Sequence, residues 1–178
     1  MLGLMQDRPL LISSLLEHAA RNHGGSKIVS ARPDGTLARH TWPQIAARAA
    51  QLAHALTKRG VRQGERIATL AWNEHRHLEA YYGISSMGAV LHTVNPRLFP
   101  DQLAFILGDA QDTHLFVDPT LWPVVEALAD KLPKSLRAVV VMSEPQAVPA
   151  ESRLRAAGIE ILCQESLIAG EPSQRSTV

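Results

Sequence analysis

The sequence predicts an α/β protein: an open, mainly parallel, doubly wound sheet with helices on its faces, preceded by an amino-terminal helix and a β-hairpin. Three observations predict it. Five short runs with strand character, Arg66–Ala71, Ala89–Val94, His114–Val117, Arg137–Met142 and Ile159–Leu162, begin 22 to 25 residues apart, the length of one strand and one helix. Helical stretches separate them, and parallel strands need such crossovers. The segments Ala68–Leu70, Val90–Leu91, Leu115–Val117 and Val139–Val141 are apolar almost throughout, as strands covered on both faces are.

The elements follow in order. Leu11, Ile12, Leu15, Leu16 and Ala19 form a helical stripe over Leu11–Asn22, which Gly24-Gly25 ends. Lys27–Ala31 and Thr36–His40 have strand character and flank Arg32-Pro33-Asp34-Gly35, the composition of a tight turn, so they predict a hairpin. Thr41 and Gln44 have capping-box spacing, and Pro43 sits in the first turn, where a missing N–H costs nothing. Ile45, Ala49, Leu52 and Leu56 continue that helix, and Gly60 ends it. Further helices are expected over Glu74–Met87 with Asn73 as cap, over Pro100–Ala110, over Pro119–Leu132 with Asp118 as cap, and over Ser152–Ala157. Glu144–Glu151, with two prolines, is expected to be a loop. Residues 1–170 are expected to form one subdomain and the polar stretch 171–178 a disordered tail.

Composition narrows the function. The chain has 178 residues, 18 basic against 17 acidic, with a formal net charge of +1. Lys58-Arg59 is its longest basic run, so there is no electrostatic footprint for nucleic acid. Cys163 is the only cysteine, which excludes an internal disulfide and suits a reducing compartment. The first residues lack the pattern of a secretory signal, and no apolar run approaches the roughly 18 residues of a spanning helix. The expected location is the cytoplasm.

Phosphate-binding signatures are missing. No G-x-G-x-x-G opens a helix. Gly83-Ile-Ser-Ser-Met-Gly88 has Walker-loop glycine spacing, but Ala89-Val90 stand where Lys and Ser/Thr belong. There is no G-x-S-x-G nucleophile elbow. His75 and Glu79, four apart, lack a third metal ligand at useful spacing, so solvated or capping roles are expected for this cluster. Cys163 has no charge partner nearby in sequence and is expected to be a small core residue.

The stretch Trp72–Leu98, WNEHRHLEAYYGISSMGAVLHTVNPRL, carries more than a generic strand–helix–strand pattern. With Gly60-Val-Arg-Gln-Gly64-Glu65-Arg66 before it, and Asp101-Gln102-Leu103, Ile106-Leu107 and Phe116-Val117-Asp118 after it, it resembles the amino-terminal region of AMP-forming acyl-CoA synthetases, the adenylate-forming superfamily, particularly the medium- and long-chain fatty acid type. Weaker matches at the opening helix, Thr41-Trp42 and Glu165–Ile168 extend the resemblance from about Leu10 to Gly170.

The resemblance implies a two-step ligase reaction. A fatty acid carboxylate attacks the α-phosphate of ATP to give an acyl-adenylate and pyrophosphate, with Mg2+ offsetting the triphosphate charge. The thiol of coenzyme A then takes the acyl group and releases AMP. The family's phosphate loop and its carboxy-terminal lysine domain have no counterpart in this sequence. The chain alone is therefore expected to be inactive, with no catalytic, metal or cofactor-binding residue of its own. Its substrate-binding candidates are Trp72, His77, His92, Thr93 and Asn95, which lie at a helix start and along one strand and its end. The competing reading for them is packing and capping: Trp72 as core or lid, Asn95 as a cap before Pro96. A non-catalytic dimerisation or interaction module is the alternative function.

Overall fold

The computed structural model describes residues 3–4, 7, 9–32 and 35–174. Helix α1 (Ile12–Asn22) leads into an antiparallel hairpin, β1 (Lys27–Ala31) and β2 (Leu37–Thr41), registered from Lys27 opposite Thr41 to Ala31 opposite Leu37. Pro33 and Asp34 of the predicted turn lie outside the described residues. Helix α2 (Trp42–Lys58) starts on the predicted capping box: the Thr41 N–H donates to Gln44 Oε1 at 2.8 Å, and the Gln44 N–H donates back to Thr41 Oγ1 at 3.4 Å. Gly60, with φ of +81°, lets the chain leave α2 through a conformation that a side chain would oppose.

Five parallel strands then form the sheet: β3 (Arg66–Leu70), β4 (Val90–Thr93), β5 (His114–Val117), β6 (Ala138–Val141) and β7 (Glu160–Cys163). Their spatial order is β4-β3-β5-β6-β7. Helix α3 (His75–Ser86) links β3 to β4, and α4 (Pro100–Asp109) links β4 to β5. Between β6 and β7 lie a short 3-10 turn, Pro145–Ala147, and α6 (Arg153–Ala156). Helix α7 (Gln164–Ile168), which sequence patterning missed, follows β7.

The sheet is covered on both faces, as its apolar strands require. Ile67, Phe116 and Val140 meet Leu52 and Leu56 of α2, Ala80 and Ile84 of α3, and Ile168 of α7. The alternate residues Ala68, Leu70, Leu115, Val117, Val139 and Val141 meet Leu103 and Leu107 of α4, Val125, and Leu154 of α6. Alternation of side chains across a strand produces the two cores. Helices α2 and α3 cross closely because Gly83 has no side chain; a Cβ there would lie 2.9 Å from the Ala49 carbonyl oxygen.

Two expectations about elements need correction. The continuous helix over Pro119–Leu132 is broken into a 3-10 turn (Pro119–Leu121), helix α5 (Trp122–Ala127) and a second 3-10 turn (Ala129–Lys131). Pro123 has no N–H to donate to the preceding turn, so the helix can only start there. The cap of α3 is Glu74, whose carboxylate accepts from the Arg76 N–H at 3.0 Å, and not Asn73. Of the expected tail, residues 171–174 run along α2: Gln51 donates to the Glu171 carbonyl at 3.1 Å, and His54 Nε2 lies 2.8 Å from that of Gln174. Arg175 to Val178 lie outside the described residues.

Candidate functional site

The strand order reverses between β3 and β5, and open α/β sheets bind ligands beyond the carboxyl ends of strands at such a point. Here β3 runs out into Ala71-Trp72-Asn73, and β5 into Asp118-Pro119-Thr120. The Trp72 indole N–H donates to Thr120 Oγ1 at 3.0 Å. The Thr120 hydroxyl and amide both donate to Asp118 Oδ1, at 2.6 and 2.9 Å. Asp118 is buried, whereas Trp72 stays 40 % exposed, so a fixed indole face lies across the reversal point.

Beside it, β1, α3 and β4 enclose a cleft of about 380 Å3. Its apolar wall is Ile28, Val29, Leu78 and Tyr81; its polar groups come from Ser30, Asn73, Glu74, His77 and Thr93. Residues 74, 77, 78 and 81 share one face of α3 because they are three and four apart. His77 Nε2 lies 3.0 Å from the hydroxyl of fully buried Thr69. Burial lowers the His77 pKa below the usual imidazole value, against the opposing pull of the Trp72 carbonyl and Glu74. The ring is therefore neutral at pH 7. With the Trp72 carbonyl taking the ring N–H, we assign Nε2 as the acceptor for Thr69.

The structure brings together some of the sequence candidates and separates others. His77 and Thr93 line the cleft, and Trp72 stands at the reversal point. Asn95 is exposed, and its Oδ1 accepts from the Arg97 N–H at 3.0 Å, which closes the turn around Pro96. His92 points to the opposite face of the sheet from its neighbour Thr93; its Nδ1 lies 2.8 Å from Oδ2 of fully buried Asp112. Burial raises the Asp112 pKa, opposed by His92 and Arg66. That pair ties the edge strand to the turn before β5 and does not reach the cleft.

Sequence reasoning missed an ion network on the α2 side of the same strand ends. Arg48 donates to Glu79 at 2.6 and 3.1 Å and to Glu165 at 2.7 and 3.0 Å. Arg76 donates to Glu165 and to Glu144, each at 2.8 Å. Gln164 Nε2 adds a bond to Glu79 at 3.1 Å. Burial raises the Glu79 pKa, opposed by Arg48. Burial also works against ionised Glu165, but Arg48 and Arg76 hold its pKa below the usual range. The solvated role expected of His75 and Glu79 is therefore corrected. Glu79 is wholly buried in this network, and His75, 2 % exposed, stacks on His40 with ring centroids 4.2 Å apart. The network joins residues up to 117 positions apart, so no local pattern announces it. Cys163 is buried, as expected, and its thiol donates to the Ser143 carbonyl at 3.0 Å.

The AMP-binding enzyme family matches residues 16–169. The chain belongs to that family.

Members similar to it include the 3-methylmercaptopropionyl-CoA ligase of Ruegeria lacuscaerulensis, 55% identical over 132 residues, or 74% of this chain and 24% of that protein. The medium-chain-fatty-acid–CoA ligase of Ectopseudomonas oleovorans is 43% identical over 80% of this chain and 26% of its own length. The chain thus spans about a quarter of the length of these relatives. Among solved structures, an anthranilate CoA ligase in complex with anthranoyl-AMP superposes with a TM-score of 0.76 at 25% identity, covering 98% of this chain and 31% of that one. A long-chain-fatty-acid-CoA ligase from Archaeoglobus fulgidus gives 0.76 at 18% identity, over 98% and 32%, and shares the fold. The parallel five-stranded sheet and its helices thus match the amino-terminal domains of adenylate-forming enzymes.

ATP belongs to the chemistry that membership implies, but the cleft does not fit a triphosphate. No Lys or Arg lines it, and Glu74 does. The guanidiniums of Arg48 on α2 and Arg76 on α3 are already held by carboxylates. Among the described residues no group of three His, Cys, Asp or Glu is placed to hold a metal, and no helix is long and apolar enough to cross a membrane.

Proposed function

We propose that this chain is the amino-terminal subdomain of an ATP-dependent medium- or long-chain fatty acid–CoA ligase, and that it is inactive alone. The observation that carries the reading is the cleft. It offers an apolar wall, hydroxyls and a neutral imidazole at strand ends, yet no cation for a triphosphate. Such a surface contacts the uncharged part of a substrate and leaves phosphate chemistry to other elements. His77, Thr93 and Trp72 are the residues we assign to that contact. Asn95 shapes the turn beside it, and His92 acts through the edge strand.

Adenylation is tested as pyrophosphate release from ATP and Mg2+ with decanoate or palmitate and coenzyme A. The expected result is a blank, and turnover at ordinary enzyme rates, about 1 s⁻¹ or more, would refute the reading. In an intact ligase carrying this block, Asn95→Ala is expected to lower the melting temperature and leave kcat/KM unchanged.

A second reading, an interaction module derived from such an enzyme, is favoured by the exposure of Phe99 (75 %) and Phe105 (71 %) on and before α4. Single exposed apolar residues are ordinary, but two phenylalanines left this open suit a covered surface. Co-purification with an intact ligase supports that reading, and a strictly monomeric chain in light scattering with no such capture removes it.

A further inference from the structure

A cavity of about 690 Å3 lies away from the cleft, in the groove between α1 and α2. Leu16 and Ala20 form one wall, Ala46, Ala50 and Ala53 the other, and Met87 part of the floor. Residues 46, 50 and 53 fall on one face of α2 because they are four and three apart. The two helices run in opposite directions along it. Gly24, just past the end of α1, sits against Pro43 at the start of α2. The groove therefore runs from Arg21 and Pro43 at one end to His54 and Thr57 at the other. By the helical rise this is roughly 21 Å along α2.

Its charge is placed unevenly. Arg21, exposed in the last turn of α1, has no hydrogen-bond or ion-pair partner among the described residues. It stands where α1 ends and α2 begins, so the negative end of α1 and the positive end of α2 oppose each other there, and the guanidinium supplies the net positive charge. The other polar groups on the groove are engaged. Glu17 and Ser86 have partners, and His54 is bonded to the Gln174 carbonyl. One end thus presents an exposed guanidinium, and the length beyond it is lined mainly by Ala, Leu and Met.

We propose that this groove is a second lipid site, which binds a free medium- or long-chain fatty acid with the carboxylate at Arg21 and the alkyl tail along the alanine wall of α2. The alkyl tail displaces water from Ala46, Ala53 and Met87, and the guanidinium donates paired hydrogen bonds to the carboxylate. The site is independent of the cleft, so a blank adenylation assay leaves it untouched.

The test is calorimetry and amide chemical-shift mapping on the 178-residue chain, with octanoate, decanoate and dodecanoate below their micelle concentrations. The expected result is one saturable site per chain, with shifts centred on Leu16, Ala46 and Ala50. Each added methylene should tighten Kd by roughly two- to fourfold. Arg21→Gln, at an exposed position that the fold does not need, should weaken decanoate by roughly three- to tenfold and leave decanol unchanged. Ala53→Trp should block both ligands. Non-saturable binding, shifts centred on His77 and Thr93 instead, or equal decanoate affinity in Arg21→Gln would each overturn the site. If Ala53→Trp fails to fold, the Arg21→Gln comparison decides alone.

Discussion

Arg48→Met tests the ion network that joins α2, α3 and α7. Arg48 is the main partner of Glu79, whose side chain is 0 % exposed, and one of two for Glu165. Glu165 keeps Arg76 after the substitution, but Glu79 keeps only the Gln164 amide. Removing one member of a buried pair costs about 3–5 kcal/mol, because the other charge stays desolvated and unpaired. Arg48 itself is 22 % exposed, so water can reach part of the vacated space and the lower end, about 3 kcal/mol, is expected. For a chain of this size that corresponds to a fall in Tm of roughly 6–12 °C.

The loss should also depend on pH. The Glu79 pKa is already raised by burial, and without Arg48 it rises further. A carboxyl with a raised folded-state pKa costs stability as pH climbs from the unfolded value, about 4.3, through the folded one. The variant should therefore lose less stability at pH 5 than at pH 8. Urea denaturation followed by circular dichroism at both pH values measures it. A loss under about 1 kcal/mol at pH 8, or the same loss at both, would refute the reasoning. Arg48→Met combined with Glu79→Leu, which removes the stranded charge, should recover much of the deficit.

Two further outcomes follow from buried contacts. Burial, with Arg137 adding to it, lowers the His114 pKa to about 4, so this imidazole is neutral in the folded chain and takes up a proton on unfolding below pH 6.5. Its contribution is lost as pH falls from 6.5 through about 4. His114→Leu should flatten that part of the stability–pH curve by about 3 kcal/mol, read from urea midpoints between pH 7 and pH 4. Gly83→Ala places a Cβ 2.9 Å from the Ala49 carbonyl and 3.3 Å from the Leu52 Cβ, so it should destabilise by about 1–3 kcal/mol despite the better helix propensity of alanine. A raised Tm in that variant would show that α2 and α3 can separate without cost.

Local chemistry was legible in the sequence. The capping box at Thr41 and Gln44, the stop at Gly60, the hairpin strands and the five parallel strands follow from propensity, turn residues and period, which act within a few positions of the chain. The continuous helix expected over Pro119–Leu132 fails for a reason equally local, the missing N–H of Pro123. The short α7 lacks the length to show a period at all.

The tertiary structure decided which side chains meet. Sequence placed Trp72, His77, His92, Thr93 and Asn95 at a helix start and along one strand and its end. Only the pleat of β4 sends Thr93 into the cleft and His92 to Asp112, and only the strand order brings Trp72 to Thr120. Charges such as Arg48 and Glu165, 117 residues apart, carry no mark of their pairing. Pairing of that kind depends on the distance between elements after packing, and the sequence determines that distance only through the whole fold.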